Sequence, residues 1–295
     1  MMQRGCENCG ADISHRRKDV RFCSKKCSDA PRLSGSLCEY CGVEYPVATN
    51  NKKRNRFCSN SCAQKMLYMK NNPGFKEGFF ETPNLENSYW AGFIAADGYI
   101  YVPKKGQKIL GITLKSTDRE HLIKLQSSIG AGTLTETTRF SEQYNKEYYG
   151  TSYRLSSDKV CFDLLKNFNI GERKSLTLEP PDLSGDLTTA FIAGYIDGDG
   201  SYSMGAYSPR LGIVGTENFL SWILKQYGLK SPIHYTNGTY GVSIYGDNAI
   251  GIRQSIHSLD LPLLDRKKYR WESLGLDLTI KNRRSKKDNG KLARG

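Results

Sequence analysis

Two short apolar segments of this 295-residue chain repeat one another at a distance: Trp90-Ala-Gly-Phe-Ile-Ala-Ala-Asp97-Gly98 and Ile192-Ala-Gly-Tyr-Ile-Asp197-Gly-Asp199-Gly200. Each predicts a short helix with small residues on one side, an aspartate in its last turn and a glycine that stops it. Elsewhere apolar and polar positions alternate. Thr133 to Arg139, Tyr148 to Ser156 and Gly238 to Tyr245 read as strands with one solvated face. The echo continues past the aspartates. Leu110-Gly-Ile-Thr-Leu and a helix from about Thr117 are matched by Leu211-Gly-Ile-Val and a helix beginning near Thr216. Later, Glu172-Arg-Lys174-Ser175 corresponds to Asp265-Arg-Lys267-Lys268. The pattern predicts helix, strand pair, helix, strand pair, helix in each half: an α+β unit duplicated within one chain.

The small residues give the two helices a way to meet. Ala91, Gly92 and Ala95, like Ala193, Gly194 and Gly198, recur at helical spacing and let two backbones approach closely. Asp97 and Asp199 then sit side by side. A carboxylate at a helix C-terminus opposes the dipole by roughly 0.3–1 kcal/mol, and two close carboxylates repel. A divalent cation removes both penalties. Mg2+ (or Mn2+) takes one or two protein carboxylates and completes its shell with water and phosphate oxygens, a layout suited to cleaving a phosphodiester. Taken singly, either segment reads equally well as a buried helix capped by its glycine. A calcium loop starting at Asp197 fails, because Tyr202 and Ser208 stand where it needs glycine and glutamate.

Both segments resemble the signature helices of the LAGLIDADG homing endonucleases, with likeness over about residues 85 to 275. The resemblance implies a single-chain, two-motif, pseudo-twofold αββαββα core with saddle-shaped antiparallel sheets. It also implies site-specific double-strand DNA cleavage that leaves 3′ overhangs. Asp97 and Asp199 would be the catalytic, metal-binding acids, and Lys174 and Lys267 would line the active site. There they would stabilise charge on the phosphate or order the attacking water. The chain departs from the family pattern at Ala95, where its own second copy carries Asp197. A fused, diverged pair suits a monomer acting as a pseudo-dimer on a long asymmetric site, unlike a homodimer on a palindrome. The rival reading is a non-cleaving binder on the same scaffold, an intron RNA maturase or a transcription regulator; a zinc-based interaction protein with an inert core is a third.

Cysteines organise the region ahead of the repeats. Cys6, Cys9, Cys23 and Cys27, then Cys38, Cys41, Cys58 and Cys62, follow the spacing C-x2-C…C-x3-C twice and account for eight of nine cysteines. Two four-thiolate sites for structural Zn2+ follow, in small modules of treble-clef or ribbon type. A disulfide framework is the competing explanation. Met1-Met-Gln-Arg-Gly lacks the apolar stretch of a signal peptide and no run is long enough for a bilayer. A reducing, cytoplasmic setting without membrane is therefore expected. The ninth, Cys161, is expected inside a helix.

Charge points to double-stranded DNA as the partner. Lys and Arg number 43 against 30 Asp and Glu, a formal +13, which favours phosphate binding. On the predicted strands, basic residues mix with aromatic and polar ones. Candidate DNA contacts are Tyr99, Tyr101, Lys104, Lys108, Arg139 and Arg154 in the first half, and Tyr202, Arg210, Tyr235 and Tyr240 in the second, with Lys105, Tyr148 and Tyr207 beside them. Arg16, Arg17, Lys18, Lys25 and Lys26, and Lys52, Lys53, Arg54 and Arg56, make both cysteine modules basic. The four histidines stand apart, which weighs against an HNH nuclease, and no Walker A pattern appears. Splicing residues at the two ends are missing, against an intein. The expected division is two zinc modules (1–33 and 34–70), a linker (71–84), repeat 1 (85–177), a linker (178–186) in which Asp186 can cap the second motif helix, repeat 2 (187–278) and a basic tail (279–295).

Overall fold

The computed structural model describes residues 4–29, 33–48, 56–174, 177–204 and 208–273. The basic tail, Lys52, Lys53, Arg54, Ser175 and Tyr207 lie outside the described residues. The chain divides into two compact units, Met1–Pro73 and Gly74–Gly295.

The first unit is built twice from one plan. The main-chain N–H of Gly10 donates to Cys6 O at 2.8 Å and that of Gly42 to Cys38 O at 2.9 Å, closing two knuckles. Both glycines take left-handed backbone, φ 73° and 69°, which a side chain would strain. Short helix α1 (Lys25–Asp29) and longer α2 (Asn60–Asn71) carry the second cysteine pairs, and β1 (Leu33–Leu37) pairs with β2 (Glu44–Ala48). Ser24 and Ser59 accept hydrogen bonds from the N–H of Cys27 and Cys62, both at 3.2 Å. Within each module an arginine clasps the knuckle glutamate: Arg21 with Glu7, and Arg56 with Glu39.

The second unit shows the duplication directly. Repeat 1 runs α3 (Leu85–Asp97), β3 (Gly98–Tyr101), β4 (Ile109–Lys115), α4 (Arg119–Ile129), β5 (Thr133–Ser141), β6 (Lys146–Ser156) and α5 (Asp158–Phe168). Repeat 2 runs α6 (Asp186–Asp199), β7 (Gly200–Met204), β8 (Pro209–Gly215), α7 (Glu217–Gln226), β9 (Ile233–Thr236), β10 (Thr239–Tyr245) and α8 (Gly246–His257), followed by α9 (Asp265–Ser273). Each half is αββαββα. The two antiparallel sheets have equivalent orders, β3-β4-β6-β5 and β7-β8-β10-β9. Leu110, Ile112, Tyr153 and Leu155, like Leu211, Ile213, Val242 and Ile244, are buried against helices, leaving the opposite sheet faces open.

Residues 74–84, expected as a linker, contribute to this unit: Phe80 is fully buried and edge-on to Phe168, and Asn87 donates to Phe79 O and Thr82 O. The Pro and Gly content signalled irregular backbone correctly, but two phenylalanines anchor it. Asp186 opens α6 as its first residue and not as its cap, a place Gly185 holds at φ 57°. An acid in the first turn still favours the helix through the dipole.

Helices α3 and α6 meet backbone to backbone. A methyl group on Gly92 would strike the Phe191 carbonyl and lie 3.0 Å from Tyr195 N; one on Gly194 would strike the Tyr89 carbonyl and lie 2.7 Å from Phe93 N. The contacts are reciprocal, as a pseudo-twofold axis requires. Gly98 and Gly200 act differently from the left-handed caps the sequence suggested, since both are extended, φ −84° and −94°. They are needed because a Cβ would crowd Ile94 O (2.8 Å) and Ile196 O (2.5 Å) where each helix turns directly into a strand.

One polar chain crosses this apolar interface. Tyr89 on α3 donates to Asp197 Oδ2 on α6 at 2.8 Å, and the same oxygen accepts from Leu264 N at 2.8 Å. The tyrosine's single proton is thereby used. His121 Nε2, 3.1 Å from the Tyr89 oxygen, must therefore be the donor of that pair, which fixes a neutral tautomer. His121 is 2% exposed, and burial lowers its pKa to about 3. In repeat 2 the same places hold Phe191, Phe219 and, for Asp197, Ala95 in repeat 1: an apolar set facing a polar one.

Gly92→Ala or Gly194→Ala should lower unfolding free energy by about 1–3 kcal/mol or more through overpacking. Gly251→Ala, on an open face of α8 with no atom near its would-be Cβ, should raise it by about 0.5–1 kcal/mol; urea denaturation of the three variants decides. His121 has a folded pKa below the ordinary value of about 6.5, so the unfolded chain binds its proton first. Its contribution is complete above about pH 6.5 and is lost as pH falls toward 3. Between pH 6.5 and 5 the stability of the native protein should fall by up to about 1.4 kcal/mol per pH unit, and His121→Phe should flatten that slope.

Candidate functional site

The abutting C-termini of α3 and α6 bring Asp97 and Asp199 together. A methyl on Gly198 would lie 3.3 Å from Asp97 Oδ2, so the acid of one helix stands against the last turn of the other. Asp199 is half-buried. Asp97 reaches solvent, yet protein crowds one side of its carboxyl, and burial together with the Asp199 charge raises its pKa to about 6. Burial raises Asp199 as well. Burial and mutual repulsion thus make the charged form of each acid less favourable than in water, which nearby positive charge offsets.

Two buried lysines supply part of that charge. Lys174 and Lys267 are each 6% exposed. Lys174 Nζ donates to Ala95 O at 2.6 Å and Ala96 O at 3.1 Å; Lys267 Nζ donates to Ile196 O at 2.8 Å, Gly198 O at 2.8 Å and Gly200 O at 2.6 Å. Each ammonium therefore caps the last carbonyls of its own repeat's motif helix, where helix C-termini lack partners. Their electrostatics cross over. The lysine acting most strongly on Asp97 is Lys267, and on Asp199 it is Lys174. Burial lowers both lysines to about 8, with the neighbouring acids opposing that shift.

The backbone that delivers the lysines differs between halves. Lys174 follows Arg173, which takes left-handed backbone at φ 55°, whereas Lys267 sits in the first turn of α9. Helix α9 is clasped to repeat 1 through Lys124–Asp265 at 3.0 Å and Arg266–Asp118 at 3.0 Å. Reciprocally, the segment after Lys174 meets repeat 2, where Thr216 donates to Leu178 O at 2.9 Å. Each half therefore positions the other's lysine-bearing segment.

Sheet parity sorts the proposed DNA contacts. Tyr99 pairs with Gly111, Gly111 with Arg154, and Arg154 with Thr133, so Tyr99 and Arg154 lie on the open face. Arg139 pairs with Tyr148 on that face, Tyr101 is exposed beyond Tyr99, and Lys104 is exposed in the β3–β4 loop. Lys108 is half-buried at the start of β4, its main chain bonded to Asp158 and Ser157. Arg210 lies on the open face of repeat 2 with its guanidinium on Ser243 Oγ at 2.8 and 3.0 Å.

One expected contact, Tyr202, is corrected by its burial, and two others lie off the open face. Tyr202 is 3% exposed and faces the helices beneath the Arg253 guanidinium, as the counterpart of Ile100. Tyr235 and Tyr240 pair in register with rings 4.9 Å apart on the helix side, Tyr240 beside Glu217 of α7 and Tyr235 65% exposed to solvent. Aromatic character drew attention to them, while alternation along β7 and β10 turns them away from the open face. That face presents Ser201, Ser203, His234 and Ser243 instead. Aligning Leu211-Gly212-Ile213 with Leu110-Gly111-Ile112 fixes this parity from sequence.

In the first unit the sulfur atoms converge. Cys9, Cys23 and Cys27 Sγ atoms are 3.4–3.7 Å apart, and those of Cys41, Cys58 and Cys62 are 3.5–3.8 Å apart. With Cys6 and Cys38 they form two groups of four within 4.8 Å. A tetrahedral zinc–sulfur bond of about 2.3 Å implies sulfur–sulfur edges of about 3.8 Å, so both sets fit Zn2+. Cys23 N–H, 3.3 Å from Cys6 Sγ, favours the thiolate there. Cys161 is buried on α5, where burial raises its thiol to about 12.

Among the described residues no helix is long and apolar enough to cross a membrane. No protein-family profile and no curated protein matches the chain. Solved structures similar to it include the homing endonuclease I-WcaI bound to its DNA recognition sequence, at TM-score 0.49 and 15% identity over 76% of this chain and 97% of that one. The LAGLIDADG meganuclease I-CpaMI bound to uncleaved DNA gives 0.42 and 13%, over 59% and 85%. The N-terminal LAGLIDADG domain of DUF199/WhiA gives 0.41 and 16%, over 67% and 90%.

Metal analysis of the purified chain should find about two zinc per molecule. Chelation should abolish protection of the first unit from proteolysis and leave the second unit's melting transition in place, because only the first is organised around thiolates.

Proposed function

We propose that this chain is a divalent-metal-dependent, site-specific DNA endonuclease of the LAGLIDADG kind, acting as a pseudo-dimer on an asymmetric duplex. The observation that carries the reading is the meeting of Asp97 and Asp199 at two helix ends, flanked crosswise by Lys267 and Lys174. Two crowded carboxylates whose charges repel become a strong site once Mg2+ or Mn2+ is bound. When bound, the metal supplies Lewis acidity and activates water.

The protein's own groups would do the rest. Asp97 and Asp199 would hold the cations, with water and phosphate oxygens completing the shell. Lys174 and Lys267 would fix both helix ends and stabilise negative charge growing on the phosphate. Hydrolysis would add a water oxygen to phosphorus and break one phosphorus–oxygen bond to the sugar, one water proton passing to the departing sugar oxygen and the other leaving to solvent. One such event on each strand cuts the duplex. Tyr99, Tyr101, Arg139, Arg154, Arg210 and the serines of repeat 2 offer donors and acceptors to base edges and phosphates from the open sheet faces. The two zinc modules, basic and stapled by Cys6, Cys9, Cys23, Cys27, Cys38, Cys41, Cys58 and Cys62, would extend the footprint along DNA.

The test is cutting of a randomised duplex library. Mg2+ or Mn2+ should give double-strand breaks at a selected sequence, and chelation should stop them. Asp97→Asn and Asp199→Asn should each lower the rate by at least about a thousandfold, on the order of 4 kcal/mol, while retaining the selected site within a few-fold in affinity. Selective binding to a structured RNA with no DNA nicking would replace this reading with that of a maturase.

A further inference from the structure

The two catalytic centres are not chemical copies. Four residues before Asp97 stands Phe93; four before Asp199 stands Tyr195. The rings occupy equivalent places, Phe93 packing on His121 at 4.6 Å and Tyr195 on Phe219 at 4.5 Å. Only the second carries a hydroxyl. That hydroxyl donates to Val214 O at 2.9 Å, and Tyr195 and Asp199 line the same cleft.

A second exchange accompanies the first. Gly98 pairs with Ile112 and Gly200 with Ile213, so Leu114 and Gly215 are counterparts two residues further on. A Cβ at Gly215 would lie 2.8 Å from the Tyr195 hydroxyl. Glycine therefore makes the room that the phenol occupies, while the other half fills its equivalent position with leucine. The hydroxyl opens onto a cleft of about 280 Å³ lined also by Asp199, Lys174, Thr216 and Thr239. Its contents are a carboxylate, a buried ammonium and a neutral phenol that burial keeps from ionising. A single rotatable O–H, bonded here to Val214 O, can turn toward an oxygen bound in that cleft. Phe93 has no such group.

We propose that Tyr195 is a positioning residue for the Asp199 centre alone: it orients a water or phosphate oxygen beside Asp199, and the two strands of the duplex are consequently cut at unequal rates. The proposal rests on the nuclease reading above.

The experiment uses the full chain, its selected duplex labelled on either strand, and Tyr195→Phe, which keeps the ring and its packing. With Mg2+, the unmodified protein should accumulate a nicked intermediate. Tyr195→Phe should slow one strand about tenfold and leave the other within twofold. A readout without turnover accompanies it: calorimetric titration of the DNA complex with Ca2+ should show one cation step weakened several-fold and the other unchanged. Equal slowing of both strands, an unchanged strand ratio, or Ca2+ steps that do not move would overturn the proposal while leaving the nuclease reading intact. No cutting by the unmodified protein would sink both. Loss of the Val214 bond alone would lower the melting temperature without touching the strand ratio, so a merely structural tyrosine is recognised as such.

Discussion

Two helix backbones in direct contact impose the condition that the rest of this unit satisfies. Gly92 and Gly194 allow α3 and α6 to touch, and the touching puts two negative helix ends and two carboxylates in one place. Left alone, dipoles and acids would push the helices apart. Burying Lys174 and Lys267 there is itself unfavourable, several kcal/mol per ion unless the ammonium is bonded. Each is bonded to carbonyls that a helix end leaves without partners. The same nitrogen thus closes a helix and offsets an acid of the opposite repeat. Structural and electrostatic roles coincide at these lysines, so no substitution separates them cleanly.

Duplication followed by divergence explains why this arrangement forms once per chain. If both halves were alike, either could pair with its own copy. The Tyr89–Asp197 bond needs one partner from each repeat, and its mirror position holds Phe191 and Ala95. A self-paired repeat 2 would bury Asp197 against phenylalanine, leaving the acid with fewer donors, which is costly. The clasps Lys124–Asp265 and Arg266–Asp118 have the same heterologous character. Polar groups at an otherwise apolar interface act here as discrimination against the wrong pairing.

The order αββαββα, the two acids and the cysteine tetrads were legible in the sequence because each repeats, and coincidence does not repeat across a hundred residues. Thr216 as a helix start and Cys161 as a packed thiol followed from local rules. What sequence missed depended on facing. Tyr202, Tyr235 and Tyr240 have the composition of groove-reading residues, but strand parity puts them on the opposite side of the sheet, Tyr202 buried there and Tyr235 exposed. Phe79 and Phe80 lay inside a segment whose Pro and Gly hid its anchoring role. The lysines were found by carry-over from a resemblance. Their bonds to helix-end carbonyls had no signal in composition, because three-dimensional proximity joins residues some 70 to 80 positions apart.

Formal charge overstates what this protein can offer a phosphate backbone. Arg21 and Arg56 clasp Glu7 and Glu39, Arg119 meets Glu136, Arg266 meets Asp118, and Arg210 is laid on Ser243. An arginine already bonded to a carboxylate gives up that partner before it can bind DNA, so its contribution to counterion release is small. In the first unit this internal use has a clear cause. Among the described residues its buried apolar side chains are few, chiefly Ile13 and Val47 beside the cysteines, and bidentate clasps and converging thiolates take the place of a core. Arg139 and Arg154, exposed on the open face of repeat 1, are of a different kind. They stand in rows with Tyr148 and Tyr99, so repeat 1 carries its exposed arginines on the sheet face that the helices leave open.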